Sequence, residues 1–322
     1  MRYRKLGRTG FEVSEVGFGA WGIGGRYWGG ADDALSLRAL RRAFDLGVNF
    51  VDTALAYGDG HSERLVGRAI REFGGPIRVA TKIPPKAGGW PPAPGTPVRV
   101  AFPADYIVSS TEQSLKNLGL DCLELQQLHT WRDEWLVEGE WQEAVSRLKA
   151  QRKVRAFGLS VIDHRPDTAL RAVASGLIDT VQVIFNIFDQ SPRDELLPLC
   201  RAHGVGLIAR VPFDEGSLTG ALRPDTRFPS GDFRSRYFRG ERLGETCRRV
   251  VQLAFLVRDE IKSLAQASLK FCLSHAEVST VIPGMRRPEH VDENCAASDG
   301  IPLRPEELAA LRAHAWPRNF YE

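Results

Sequence analysis

The sequence has no strong charge imbalance. Its 322 residues carry 43 basic and 40 acidic side chains, for a formal net charge of +3. Neither a nucleic acid nor an anionic membrane is therefore expected as a partner. No apolar run is long enough to span a bilayer. The start, Met1-Arg2-Tyr3-Arg4-Lys5, has no apolar segment behind it, so no signal peptide is expected. Cysteine is scarce: Cys122, Cys200, Cys247, Cys272 and Cys295 are odd in number and lack CxxC spacing. That excludes a disulfide framework and a zinc site, and leads us to expect buried free thiols in a reducing cytoplasm. Lysine is scarce too, at eight of the 43 basic residues. A lysine kept at a strand end in such a chain hints that a compact ammonium is needed there. Linkers, low-complexity tracts and strict repeats are missing as well, so one domain over residues 1–322 is expected.

What the chain does have is a buried strand that ends in an acid and runs into a tyrosine-bearing loop, Asn49-Phe50-Val51-Asp52-Thr53-Ala54-Leu55-Ala56-Tyr57-Gly58. Two later stretches share this shape. Arg78-Val79-Ala80-Thr81-Lys82 ends in a lysine, and Cys122 to His129 ends in a histidine. Parallel neighbours would hold these ends about 4.8 Å apart. Singly, each residue has a bland reading: Asp52 a turn residue, Tyr57 a half-buried aromatic, Lys82 a solvated charge, His129 a core histidine. Placed on three successive strand ends, they read as one site.

Periodicity gives the rest. Residues 2–15 read as a hairpin around Leu6-Gly7-Arg8-Thr9-Gly10, and Val16-Gly17-Phe18-Gly19 as the first buried strand. Helical spacing covers Asp33–Leu46, then Glu63–Phe73 with Ser62 as its N-cap. A Pro- and Gly-rich loop spans Pro84–Pro103. Helices are expected at Ala104–Leu118, Trp141–Ala150, Arg165–Ser175 and Glu195–His203, with strands at Ala156–Ser160, Thr180–Phe185 and Gly206–Val211 between them. A second long loop, Pro212–Gly240, precedes helical stretches over Glu241–Glu260 and Leu264–His275, a strand at Thr280–Pro283, and helices at Pro288–Ala296 and Pro305–Ala315. Eight strands alternating with helices, without a break in composition, predict an α/β fold: one closed (β/α)8 barrel with an N-terminal hairpin, long loops after strands three and seven, and extra C-terminal helices. Gly17-Phe18-Gly19-Ala20-Trp21-Gly22 matches a dinucleotide-binding fingerprint loosely. No helix opens within it, and the acid lies too far on, so that reading is kept only as a minor alternative to glycines that make room for a ligand at the barrel mouth.

Asp-Thr-Ala-x-x-Tyr-Gly at 52–58, Gly60-His61-Ser62-Glu63, Gly67, Ala80-Thr81-Lys82 and Gln127-Leu128-His129 resemble the aldo-keto reductase family, and the resemblance runs over essentially the whole chain. It implies a catalytic tetrad of Asp52, Tyr57, Lys82 and His129. Physical chemistry supports the same assignment. Reducing a carbonyl takes a hydride to carbon and a proton to oxygen, and tyrosine, with a free pKa of about 10, is a weak acid. An ammonium about 4 Å away would favour the phenolate by up to ~4 kcal/mol at an effective dielectric of 20. Lys82 suits that role with Asp52 holding it, and His129 could share the carbonyl oxygen.

No protein group donates a hydride, so a nicotinamide is implied, and the loops after strands seven and eight suit its phosphates. The resemblance assigns Gly284 and Arg286 to the 2′-phosphate, with Arg287 nearby, Glu293 and Asn294 to the adenine, and Ser160 and Gln182 to the carboxamide. Gly19, Trp21, Asp52, Arg210, Val211, Pro212, Phe213, Gly216 and Leu218 complete the expected cofactor contacts. Two guanidiniums favour NADPH over NADH. Three positions depart from the family pattern. Val161 replaces an asparagine after the serine, Arg210 stands where an aromatic often stacks, and His290 stands where arginine or glutamine is usual. If His290 meets the adenosine phosphate, cofactor affinity should fall as pH rises through its titration. Trp21, Trp28, Trp90 and Trp131 suggest an apolar or ring-bearing carbonyl or alcohol substrate, with Trp28 and Trp90 the ones best explained as loop packing. The expected activity is NADPH-dependent carbonyl reduction or its reverse. The alternatives are a catalytically weak, cofactor-sensing regulatory protein on the same fold, and a Schiff-base lyase using Lys82.

Overall fold

Gly10, at φ 76°, turns β1 (Tyr3–Lys5) back into antiparallel β2 (Glu12–Ser14), as the hairpin expectation required. The structure is a computed structural model that describes residues 1–25 and 27–322. After the hairpin come β3 (Phe18–Gly19), β4 (Phe50–Asp52), β5 (Arg78–Ile83), β6 (Leu123–Leu128), β7 (Val154–Ser160), β8 (Thr180–Ile184), β9 (Gly206–Arg210) and β10 (Val278–Val281). These eight form one sheet in sequence order, each parallel to the next. Backbone bonds across the seam close it: the amide of Gly17 donates to the Val281 carbonyl at 2.8 Å, that of Val281 to the Glu15 carbonyl at 2.9 Å, and that of Gly19 to the Pro283 carbonyl at 2.9 Å.

The sheet has period-two side-chain alternation, so each strand fills two cores. Phe50, Ala80, Leu125, Ala156 and Ile208 pack with Ile282 and with Leu6 and Val13 of the hairpin. The hairpin thus stoppers the amino end of the barrel. Val51, Val79, Leu123, Phe157, Val181 and Leu207 belong to the larger core shared with the helices. With the amino end filled, a ligand can enter only at the carboxyl ends of the strands.

The helices are α1 (Asp33–Asp45), α2 (His61–Phe73), α3 (Val98–Ala101), α4 (Ala104–Leu118), α5 (Glu140–Ala150), α6 (Leu170–Ala174), α7 (Leu196–His203), α8 (Arg234–Tyr237), α9 (Arg242–Val251), α10 (Leu264–Leu273), α11 (Pro288–Cys295) and α12 (Pro305–Leu311). Three expectations change. Pro166 starts a 3₁₀ turn over Pro166–Ala169, so α6 is only its short continuation. The helix expected over 241–260 ends at Val251, and a 3₁₀ turn at Ala254–Leu256 follows, with Leu253 and Leu256 both buried. Ser62 lies inside α2 rather than capping it. Gly60, at φ 80°, is the residue before the helix, and the Ser62 hydroxyl is 2.9 Å from both the Thr53 hydroxyl and the Ala20 carbonyl. That bond ties α2 to the ends of β3 and β4.

Candidate active site

The register of β4 and β5 pairs Asp52 with Ala80, and that of β5 and β6 pairs Lys82 with Gln127. Lys82 therefore stands two residues beyond the Asp52 pairing, and its side chain reaches back under the loop after β4. Its ammonium donates to Asp52 Oδ1 at 2.5 Å, to the Thr53 carbonyl at 2.8 Å and to Tyr57 Oη at 3.3 Å. An ammonium has three protons, so its donors are fully used. The second Asp52 oxygen accepts from Gln182 at 2.7 Å and from Gln127 at 3.5 Å. Tyr57 is fixed by its own loop. Gly58 has φ 65°, and a Cβ there would lie 2.2 Å from the Gly24 carbonyl, so only glycine fits. The Tyr57 ring centroid is 5.6 Å from that of His129, and Trp90 covers His129 edge-on at 4.6 Å.

Burial decides the protonation states. It raises the Tyr57 phenol above 10.0, outweighing the pull of Lys82 in the other direction. The expected pull of Lys82 towards the phenolate is present, but it only limits a rise caused by desolvation. Burial also opposes the charge on Lys82, yet Asp52 and Tyr57 hold it above 10.5. His129 is pushed well below 6.5 by burial and by the charges of Lys82 and Arg210, so it is neutral. Its Nδ1 is buried without a hydrogen-bond partner among the described residues.

Tyr57 and His129 open into a cavity of about 1510 Å³. Lys82 is absent from its walls and fully buried behind Tyr57. Most residues expected at the cofactor line the cavity: Gly19, Trp21, Asp52, Ser160, Gln182, Arg210 to Phe213, Gly216, Gly284, Arg286, His290, Glu293 and Asn294. Leu218 does not. It is fully buried; its amide donates to the Phe213 carbonyl at 3.0 Å and its carbonyl accepts from the Ser268 hydroxyl at 3.1 Å. Trp21, Trp28 and Trp90 line the cavity. Trp131 is the indole that packs instead, inside the core against Trp135 and Trp141 with its N–H on Asp133 at 3.0 Å. Strand alternation would put it on the same face as His129, two positions earlier, but the strand ends at Leu128 and the indole turns to the core instead.

One end of the cavity is strongly cationic. Arg286 donates to the Trp28 carbonyl at 2.9 Å, and its guanidinium carbon lies 5.4 Å from the Trp28 ring, with that of Arg234 at 4.7 Å. Asp232 is already held by Arg234. Burial and the charges of Arg234 and Arg287 bring Arg286 below the usual arginine range. This cluster lies just ahead of α11, whose N-terminal amides also favour an anion, so the site fits a phosphate. Burial and the charges of Arg286 and Arg287 lower His290 below 6.5, so the expected pH dependence through His290 shifts to more acidic pH.

The sequence reading missed a third wall. Arg318 grips both oxygens of Asp214 at 2.6 Å, and the Tyr237 hydroxyl donates to Asp214 at 2.9 Å. Tyr321 donates to Glu215, whose carboxyl is pushed up to about 8 by burial. The segment Trp316–Glu322 thereby lines the cavity. The cluster of Trp316, Arg318, Phe320 and Tyr321 was the available signal. Glu63 stands out in the sequence only as part of a motif. It is buried in α2, where it accepts from Thr81 at 2.6 Å and from Asn117 at 2.7 Å, bracing the strand that carries Lys82.

A closed parallel barrel with a buried carboxylate and ammonium behind a half-buried phenol at its carboxyl mouth defines a class of oxidoreductases. Residues 15–315 match the aldo/keto reductase family, and the chain belongs to it. It is 32% identical over 297 residues to Aldo-keto reductase YhdN of Bacillus subtilis, covering 91% of this chain and 87% of that protein. It is likewise 32% identical over 317 residues to a probable voltage-gated potassium channel subunit beta of Arabidopsis thaliana, covering 94% and 93%. An aldo-keto reductase from Klebsiella pneumoniae in complex with NADPH superposes with a TM-score of 0.72 at 26% identity, covering 99% and 98%.

Proposed function

We propose that the protein is an NADPH-dependent carbonyl reductase, working on aldehydes or ketones and, in reverse, on alcohols. The observation that carries this reading is the Lys82 ammonium, shared between Asp52 and Tyr57 at 2.5 and 3.3 Å. When bound, NADPH supplies the hydride. Gly284 and Arg286 would hold its 2′-phosphate, with Arg287 beside them. Ser160 would meet the carboxamide. Glu293 and Asn294 would face the adenine.

The side chains do the rest. Burial keeps Tyr57 a neutral phenol at physiological pH, so its proton is present when needed. As that proton leaves, Lys82 stabilises the phenolate, and Asp52 keeps Lys82 charged and aimed. Neutral His129 donates to the carbonyl oxygen without adding charge. Trp21, Trp28 and Trp90 give the pocket apolar walls. A lyase working through Lys82 is disfavoured, since that amine has no free donor and no access to the cavity.

The test is NADPH oxidation against a panel of carbonyl compounds, with parent and Tyr57→Phe, alongside NADPH binding read by fluorescence. Turnover lost in the variant while binding persists is the expected result. Equal turnover in the two proteins, or none in the parent despite tight NADPH binding, would favour the regulatory reading.

A further inference from the structure

We propose that Arg210 selects the redox state of the bound cofactor: its half-buried guanidinium disfavours the oxidised, positively charged nicotinamide and so favours the reduced, neutral one. This rests on the nicotinamide-dependent reading above and adds a specificity-determining residue to it.

The position of Arg210 carries the inference. It closes β9 and lines the same cavity as Tyr57 and His129. Its Nη2 donates to the Val161 carbonyl at 2.9 Å and to Asp163 at 2.6 Å. Its Nε is buried without a partner among the described residues. Its charge acts on both Tyr57 and His129. A carbonyl oxygen held by Tyr57 puts its carbon, and then the hydride donor, within roughly 7 Å of the phenol oxygen. The nicotinamide ring must therefore sit inside a field that already reaches Tyr57.

The neighbouring charges do not cancel that field. Lys82 is matched by Asp52. Asp163 has a side chain 31% exposed against 17% for Arg210, so solvent damps the carboxylate more than the guanidinium. Glu215 is held protonated to about pH 8, and burial raises Tyr321 well above 10.0, so both are neutral near pH 7. His129 is neutral as well. What remains is the Arg210–Asp163 pair, of which the guanidinium is the less exposed member.

The consequence has two sides. A site that binds the reduced ring more tightly makes the bound oxidised ring a stronger hydride acceptor. In alcohol oxidation the hydride leaves the carbinol carbon for the ring and the hydroxyl proton passes to the Tyr57 phenolate; reduction runs both transfers backwards. Arg210 thus loads the protein with reduced cofactor and eases the oxidative direction of the chemical step.

The test is titration of NADPH fluorescence and its displacement by NADP⁺ on parent, Arg210→Met, Arg210→Lys and Asp163→Asn. The ratio of the two dissociation constants should move towards oxidised cofactor by ~5–10-fold in Arg210→Met, as expected for loss of one charge at such a distance. It should stay nearer the parent value in Arg210→Lys and shift the opposite way in Asp163→Asn. An unchanged ratio in Arg210→Met, or equal changes in the Lys and Met variants, would overturn the proposal. If Arg210→Met does not fold, Asp163→Asn decides: an unmoved ratio overturns it. Failure of the parent to bind either cofactor would instead remove the functional reading itself.

Discussion

Lys82 Nζ lies 3.3 Å from Tyr57 Oη, and the lysine is wholly screened from solvent. Its opposite contact is the Asp52 carboxylate. The lysine thus sits behind the tyrosine and acts on substrate only through it. Replacing it by methionine should lower turnover by ~10²–10³-fold with a small effect on NADPH affinity. The same change strands Asp52 and should cost about 3–5 kcal/mol of stability. Adding Asp52→Asn should restore much of the stability but none of the turnover. Denaturant unfolding beside steady-state kinetics checks both.

Tyr57 gives the two reaction directions different pH profiles. Its phenol is raised above 10.0, so the donor form needed for reduction persists through neutrality. Carbonyl reduction should be flat from pH 6 to about 9, and alcohol oxidation, which needs the phenolate, should climb into the alkaline range. Measuring kcat/KM in both directions across pH decides this. A reduction rate that falls through pH 7 would contradict it.

Glu215 ties stability to pH. Burial raises its carboxyl from 4.5 to about 8. A raised acid binds its proton more tightly in the folded state, so its contribution is fully present below pH 4.5 and is lost as pH rises through about 8. Across that interval, stability should fall by about 1.4 kcal/mol for every pH step of one. Glu215→Gln should flatten the fall in melting temperature between those limits. Parallel melting curves for the two proteins would argue against the assignment.

Arg286 separates NADPH from NADH. A charge-assisted hydrogen bond of about 1.5–3 kcal/mol corresponds to roughly a 10–150-fold change in affinity. Arg286→Met should weaken NADPH by that factor and leave NADH, which lacks the 2′-phosphate, within a few-fold. Equal losses for both cofactors would assign Arg286 to packing on Trp28.

Arg318 holds a buried carboxylate. Arg318→Met leaves Asp214 with the Tyr237 and Ser217 hydroxyls alone, and should destabilise the protein by about 3–5 kcal/mol. A pocket loosened at this wall should also raise KM for bulky carbonyls more than for small ones.

The barrel and its chemistry were legible because they are written locally. Each strand is a short apolar run, and Asp52, Lys82 and His129 lie within one residue of the ends of three of them. What the sequence concealed depends on distant partners. Arg318 meets Asp214 across 104 residues, and Gln182 meets Asp52 across 130. Ser62 looked like a cap because a serine before a helical run is the usual cap, yet Gly60 allowed the helix to begin earlier and freed the hydroxyl to bind Thr53. Trp131 looked like a pocket residue because it follows His129 closely. Beyond the strand, spacing no longer fixes which way a side chain points, and the indole went to the core.

The seclusion of Lys82 makes it an internal gauge of integrity. Amine-reactive acylating reagents should modify the surface lysines of the native protein readily and pass over this one. Label arriving at position 82 would then count opening events of the whole barrel, read by peptide mass and independent of any assay of turnover.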